Sequence, residues 1–371
     1  MRQHYTAWAD EMWRRIEEKM HTVVCRNPGI IPYTTDENGR YIDRYAASPA
    51  FWTNGFWPGI LWYLYQETGD ELYRREAEQA EEKLDCLLTL EKGGDAIDHD
   101  VGFLWHLSAG ADELLTGNAQ SRVRTRRAAD LLMARFNPDG RFFTAWNGPE
   151  RQGWSIIDTM MNLPLLYRTA EQTGYTRYAR AAQAHADHTM QYMLRPDGSS
   201  AHVAVYDPVD GHLLHWLAGQ GAAPDSVWSR GQGWAVYGFA LSYRYTRKPE
   251  YLQAARRAAV YVEAALQRTG WVPHSDFCGD KPLLDATAGA ILANGMLELA
   301  EHLPEEAEHC RSRVPYPDAL ESCCDWNLAH DAILQNCSER YTDEKQMTIL
   351  YGDYFLMEAV LRLKGGAKLL W

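Results

Sequence analysis

Asp158 is the only carboxylate in Trp154–Arg168, Trp-Ser-Ile-Ile-Asp-Thr-Met-Met-Asn-Leu-Pro-Leu-Leu-Tyr-Arg. Its neighbours Ile156, Ile157, Met160, Met161 and Leu163 should take water away from it. Burial disfavours a charged carboxylate and so raises its pKa. A proton held near neutral pH is what a general acid needs. The competing reading is that Asp158 caps the first turn of a buried helix. Asp100 opens Val-Gly-Phe-Leu-Trp-His-Leu-Ser and is a plain cap by itself. Placed beside Asp158, it becomes a second catalytic carboxylate, and two carboxylates flanking a sugar are the usual equipment for glycoside cleavage.

Helices must position these groups. Apolar residues at helical spacing (Trp8, Met12, Ile16, Met20) predict a helix over about 5–23. A pattern then recurs, in which an aromatic-rich helix stops at a short turn and a charged, Ala-rich amphipathic helix follows. The turns fall at Thr68-Gly69, Thr116-Gly117, Gly174 and Lys248-Pro249. This is a degenerate helical-hairpin repeat. It predicts inner helices at about 54–68, 101–115, 156–173, 230–246, 286–302 and 351–364. The outer helices are expected at about 5–23, 70–90, 119–135, 176–194, 249–268 and 305–330. Six of each imply an all-α fold, a closed (α/α)6 barrel in one domain spanning 1–371. Strand-like segments are expected only in loops, at Arg141–Trp146 and His202–Leu214, the latter turning at Asp-Pro-Val-Asp-Gly.

In an alternating barrel every inner helix starts at the same rim. Asn54, Asp98-His99-Asp100, Asp158, Arg230 with Gln232, Asp285 with Thr287, and Asp353 all lie near such starts. Capping accounts for the acids and for Asn54, which could cap the first inner helix. It does not account for Arg230, because a cation at a helix N-terminus is disfavoured. His202 lies in a loop, whereas His185 and His188 fall on an outer helix as surface or packing residues.

Composition narrows the class. The chain has 371 residues, 46% hydrophobic and 12% aromatic, with 14 Trp and 21 Tyr, which suits a cleft where flat apolar faces meet sugar hydroxyls. A net charge of −13 argues against a nucleic-acid partner, so an anionic substrate would need local positive charge. The seven cysteines form no C-x-x-C pair, which speaks against a zinc site or a disulfide framework and for a reducing compartment. The first residues carry no apolar leader and no run is long enough to span a bilayer, so a cytoplasmic protein with no membrane partner is expected. No H-E-x-x-H motif is present, and Gly231 and Gly233 lack the strand a phosphate loop requires; neither a metal nor a cofactor is expected.

Five segments in order carry a resemblance: Trp-Thr-Asn-Gly-Phe-Trp-Pro-Gly-Ile-Leu-Trp (52–62), Asp-His-Asp-Val-Gly-Phe-Leu (98–104), Ile-Ile-Asp-Thr-Met-Met-Asn-Leu-Pro-Leu-Leu (156–166), Trp-Ser-Arg-Gly-Gln-Gly-Trp-Ala-Val-Tyr-Gly-Phe-Ala (228–240) and Tyr-Gly-Asp-Tyr-Phe-Leu-Met-Glu-Ala (351–359). Together they resemble the unsaturated glucuronyl hydrolases, glycoside hydrolase family 88. The resemblance implies an (α/α)6 barrel acting on lyase-generated oligosaccharides that end in a 4,5-unsaturated uronic acid. The vinyl ether is hydrated, with no attack at the anomeric carbon. By that resemblance Asp158 protonates C4 and then takes the proton of the water that adds at C5, and the resulting hemiketal falls open. Asp100 matches the second carboxylate. His99, His202, Gln220, Arg230 and Trp234 match sugar-binding positions, with Arg230 the partner for the uronate carboxylate. Trp52 and Trp146 match stacking positions. The chain departs from the family pattern at Phe51 and Asn54, where an acidic motif is expected, and the loop 339–345 lacks a Ser-rich sulfate-binding pattern. Two other readings of the barrel are an unsaturated rhamnogalacturonyl hydrolase with the same chemistry and an amino-sugar epimerase, which would want two facing His. A non-catalytic sugar-binding barrel would have no reason to bury Asp158.

Overall fold

The computed structural model describes residues 2–89, 96–303 and 317–371. The hairpin punctuation is local, and it falls where the turns were expected. Inner helix α2 (Phe56–Thr68) ends at Gly69, whose φ of 70° is the left-handed conformation glycine adopts without strain. Asp70 then accepts from the Leu72 N–H to start outer helix α3 (Glu71–Leu84). Gly117 and Asn118 repeat the device between α5 (Ala109–Thr116) and α6 (Ala119–Met133). Gly174 separates α7 (Leu163–Thr173) from α8 (Thr176–Tyr192). Pro249, in the first turn of α10 (Pro249–Leu266), follows α9 (Ser229–Thr246).

The inner helices touch in a closed order. α2 meets α5, α4 (Val101–Trp105) meets α7, α7 meets α9, α9 meets α11 (Ala286–His302), α11 meets α12 (Leu350–Lys364), and α12 returns to α2. α9 is buried from Ser229 to Ser242 and α12 from Leu350 to Leu361, as helices surrounded on every side must be. The outer helices bury one stripe, in α8 Tyr178, Ala181, Ala182, His185, Ala186, His188 and Thr189. α1 (Arg2–Arg26) lies against α12. The fold is all-α, an (α/α)6 barrel; among the described residues one hydrophobic cluster draws on side chains from Ala9 to Trp371, and a small second one joins Ala145, Ile156 and Val203. Trp371 enters from the end where the inner helices finish, stacking on His106 at 5.4 Å and on Phe355 at 6.3 Å. No described helix is long and apolar enough to cross a membrane.

Four expectations need correction. The inner segment at 101–115 is two helices, α4 and α5, broken at 106–108. The segment at 156–173 begins as strand β5 (Trp154–Ile156) and a 3-10 turn (Ile157–Met161), with α7 starting only at Leu163. The outer helix at 70–90 ends at Leu84 and passes into a 3-10 turn. Of the outer helix expected at 305–330, residues 304–316 lie outside the described residues; the remainder is helical only at Pro317–Glu321.

The small strands β1 (Pro32–Thr35) and β2 (Tyr41–Asp43) form a hairpin, as do β3 (Phe136–Asn137) and β4 (Phe142–Phe143). The three-stranded sheet matters most for function. β6 (Val203–Tyr206) pairs antiparallel with β5 on one side and with β7 (Leu213–Leu217) on the other, Ile156 facing Val203. The chain leaves β5 directly into Asp158 and enters β6 directly from His202.

Candidate active site

Asp158 sits in the 3-10 turn because β5 delivers it there, and Ile157 N–H donates to the carbonyl of His202 at 3.0 Å. That pairing brings two residues 44 positions apart together, with His202 Nε2 3.7 Å from Asp158 Oδ2. Asp158 is 7% exposed, and its Oδ2 has no hydrogen-bond partner in the protein. The Gln220 N–H donates to His202 Nδ1 at 3.1 Å, so in the neutral ring the hydrogen sits on Nε2 and faces Asp158. The Ala218 carbonyl, 3.2 Å from Nδ1, is the acceptor when the ring carries both hydrogens.

Asp100 immediately precedes α4 but makes no side-chain capping bond, so the plain-cap reading fails. Its Oδ1 accepts from Asn162 Nδ2 at 3.2 Å and lies 3.2 Å from His99 Nε2. Burial above all, then the charges of Asp98 and Asp158, push the Asp100 carboxyl well above the usual range, with the Asn162 hydrogen bond opposing them. His99 Nδ1 lies 3.0 Å from the Ala145 carbonyl, which can only accept, so the hydrogen belongs on Nδ1 and the bare Nε2 faces Asp100. Burial also pushes His99 below its ordinary pKa, toward the neutral ring. Ala145 joins the two acid-bearing segments, since its carbonyl takes His99 and its N–H donates to Trp154 of β5 at 2.7 Å. Arg135 holds the same carbonyl at 3.0 Å and the Ile97 carbonyl at 3.2 Å.

The remaining sequence candidates join by ring contacts. Trp228 stacks on His202 at 4.2 Å, and the Arg230 guanidinium lies 4.6 Å from the Trp228 ring and 5.6 Å from the Tyr351 ring. Tyr351 meets Trp52 at 4.8 Å. Trp146 meets His99 edge to face at 5.7 Å. Arg230 donates to the Glu339 carbonyl, and its Nε is 3.6 Å from Asp285 Oδ2. Burial is the largest influence and works against its charge, but Asp285, Tyr351, Tyr33 and Cys337 together outweigh it and the guanidinium stays charged. Trp52, Trp146 and Gln220 are half-buried and Arg230 is buried, with Nη1 unpartnered in the protein. Trp234 is fully buried, 5.5 Å from both Phe103 and Phe355, so it supports the cleft from beneath, and Phe103 in turn meets Trp52 at 5.3 Å. The structure thus links all nine sequence candidates around Asp158.

Other rim residues are committed to the backbone. Asn54 donates to the carbonyls of Ser48 and Pro49 and does not cap α2. Gln232 ties Ser200, Gly198 and Ala258 together, Asp285 caps α11, and Asp353 accepts from Ile333, Leu334 and Tyr41. His185 and His188 are buried packing residues against Phe143 and Phe142, not surface ones. Asp98, His99 and Asp100 offer ligand atoms within 4.8 Å of one another, although a carboxyl pushed toward its neutral form is a weak cation ligand. Sequence reasoning gave no role to Trp228, Tyr351 or Asn162; the signal for Asn162 was a lone amide in the apolar run Met-Met-Asn-Leu-Pro.

Comparisons with known proteins give the family. Over 366 residues the chain is 34% identical to the unsaturated glucuronyl hydrolase of Bacillus sp. (strain GL1), covering 92% of each protein. It is 30% identical to the unsaturated chondroitin disaccharide hydrolase of Streptococcus pyogenes serotype M1, over 84% of this chain and 80% of that one. The crystal structure of the Bacillus sp. GL1 unsaturated glucuronyl hydrolase, described as responsible for the degradation of glycosaminoglycan, superposes with a TM-score of 0.88 at 32% identity, covering 98% of this chain and 97% of that one. Residues 33–299 match the profile of Glycosyl Hydrolase Family 88, and the chain belongs to that family of glycosidases.

Proposed function

We propose that this enzyme releases a 4,5-unsaturated glucuronic acid from the non-reducing end of lyase-generated glycosaminoglycan fragments by hydrating the C4=C5 vinyl ether. One observation carries the reading: the buried Asp158 carboxyl has an oxygen with no partner in the protein, and Asn162 ties its backbone carbonyl to a second buried acid, Asp100. Family membership supports the reaction class. Asp158 delivers a proton to C4. Positive charge develops over C5 and the ring oxygen, water adds at C5, and Asp158 takes up the proton this water loses. The hemiketal at C5 opens and the linkage to the next sugar is lost. In its neutral form Asp100 gives its hydrogen to the bare Nε2 of His99, which leaves the other carboxyl oxygen to accept from a substrate hydroxyl or the water. His202 orients Asp158, and Arg230, its charge balanced by Asp285, takes the uronate carboxylate. Trp52 and Trp146 stack on the sugar faces, Gln220 lines the entrance through the loop that holds His202, and Trp234 supports the wall.

We read the chain as one catalytic domain, which a main core cluster shared by helices all around the barrel supports, and we expect it to need no cofactor. A reducing, cytoplasmic setting is supported by the six cysteines among the described residues, all free. The test is loss of vinyl-ether absorbance from an unsaturated chondroitin disaccharide. Wild type should consume it, and Asp158→Asn should lower turnover roughly 10²–10⁴-fold. Turnover that survives Asp158→Asn removes Asp158 from its role. Turnover only of an unsaturated rhamnogalacturonan fragment assigns the enzyme to galacturonyl substrates.

A further inference from the structure

Two acids from separate segments must be held at a fixed spacing, and in this molecule a single amide bridges them. Asn162 is fully buried between the 3-10 turn bearing Asp158 and the start of α7. Its Nδ2 donates to Asp100 Oδ1 at 3.2 Å and to the carbonyl of Asp158 at 3.3 Å, and its Oδ1 accepts from the Phe103 N–H at 2.9 Å. The amide thus uses both donor hydrogens and its acceptor on the two acid-bearing segments. A neighbour makes room for it: a Cβ on Gly102 would lie 2.6 Å from Asn162 Oδ1. α4 therefore approaches Asn162 more closely than a residue with a side chain allows.

We propose that Asn162 is the positioning residue that sets Asp100 against Asp158 and tunes when Asp100 gives up its proton. The inference rests on the hydration reading above. A donor aimed at a carboxylate stabilises its charged form, so removing that donor makes Asp100 retain its proton to higher pH. A residue that merely filled space would leave this titration where it is.

The variants are Asn162→Ala, which removes donor and acceptor without adding charge, and Asn162→Asp. The latter matches the native shape and keeps the acceptor for Phe103, so its kcat reports if Asn162→Ala does not fold, while Asn162→Leu, close in shape, uncharged and without a donor, then carries the titration. On the unsaturated chondroitin disaccharide, kcat should fall roughly 10- to 100-fold with KM within about threefold, because the loss is of alignment and not of binding. The limb of the kcat/KM profile that follows Asp100 should move to higher pH. Carbon-13 NMR titration of labelled Asp carboxyls, assigned with Asp100→Asn, reads the same shift without turnover. If wild type leaves the disaccharide intact, the functional reading fails while this titration still decides the role of Asn162. An Asp100 titration unchanged in folded Asn162→Ala or Asn162→Leu, or a kcat equal to wild type in any folded variant, overturns the proposal.

Discussion

Gly102→Ala probes the spacing of the two acids without touching a group that reacts. The new Cβ would lie 2.6 Å from Asn162 Oδ1, 2.7 Å from its Cα and 3.0 Å from its Cβ, where ordinary contact begins at 3.4 Å. The amide oxygen could swing away, but the Cα is backbone, so α4 and the 3-10 turn must separate by about 0.7 Å, the difference between 3.4 and 2.7 Å. Hydrogen bonds of 2.9 and 3.2 Å then stretch toward about 3.6 to 3.9 Å, beyond useful range. Overpacking of this kind costs about 1–3 kcal/mol, and the better helix propensity of Ala returns up to about 1 kcal/mol. Net destabilisation should therefore be about 0–3 kcal/mol, small enough for the protein to fold. A misplacement approaching 1 Å between catalytic groups should cost roughly 10²-fold in kcat. The assay pairs denaturant unfolding with steady-state kinetics, and adds the double variant with Asn162→Asp. If Gly102 acts through Asn162, the second substitution adds little to the kcat loss of the first. A Gly102→Ala enzyme with wild-type kcat and stability, or fully additive losses, would refute the reasoning.

Two more outcomes follow from buried charges. Arg230→Lys keeps a cation near Asp285 but lacks the planar fork, so KM should rise roughly 10- to 100-fold with little change in melting temperature; an unchanged KM would free Arg230 from carboxylate binding. Glu81 governs a pH dependence away from the cleft. The Glu81 carboxyl is buried beside Asp112, with the Ser121 hydroxyl 2.6 Å from both acids and Arg124 Nη1 2.9 Å from Glu81 Oε1. Burial pushes Glu81 up to about 7, so its contribution to stability is complete below about pH 4.5 and is lost as pH rises through about 7. Unfolding free energy should decline between pH 5 and 8 by at most about 3 kcal/mol from this group, and Glu81→Gln should flatten the slope; a slope unaltered in that variant contradicts the assignment.

What the sequence made legible was local. Gly69, Gly117 and Gly174 end inner helices because the left-handed conformation suits glycine, and Asp70 and Asn118 start outer ones by capping; each signal lies within two residues of the event it controls. The barrel follows from repeating that unit. What was hidden depends on distant partners. Nothing near Trp154–Ile156 says strand over helix, because the deciding neighbour is Val203. Asn54 and Asp353 looked like cleft residues by position, yet their polar groups are committed to loops whose approach no periodicity reveals. Asp100 had the opposite fate: it stands where a cap would be, and it is drawn away by Asn162, 62 residues further on.

The division between regular and irregular backbone has a functional logic. The inner helices α9 and α12 are buried along most of their length and give a stiff wall, but a helix presents side chains at fixed angles. The acids and their histidines instead come from a strand end, a 3-10 turn and two loops, where the backbone is free to aim them. That choice leaves buried atoms without hydrogen-bond partners in the protein, Asp158 Oδ2 and His202 Nε2, to which Trp228 Nε1 and Arg230 Nη1 add from the start of α9. Each such atom costs on the order of 1–3 kcal/mol when left unsatisfied, a burden the large paired core can carry. A sugar acid brings a carboxylate and several hydroxyls, the complements of those donors and acceptors. Binding energy from satisfying them is available to hold the vinyl ether against Asp158, and the same groups that weaken the folded chain become the ones that orient its substrate.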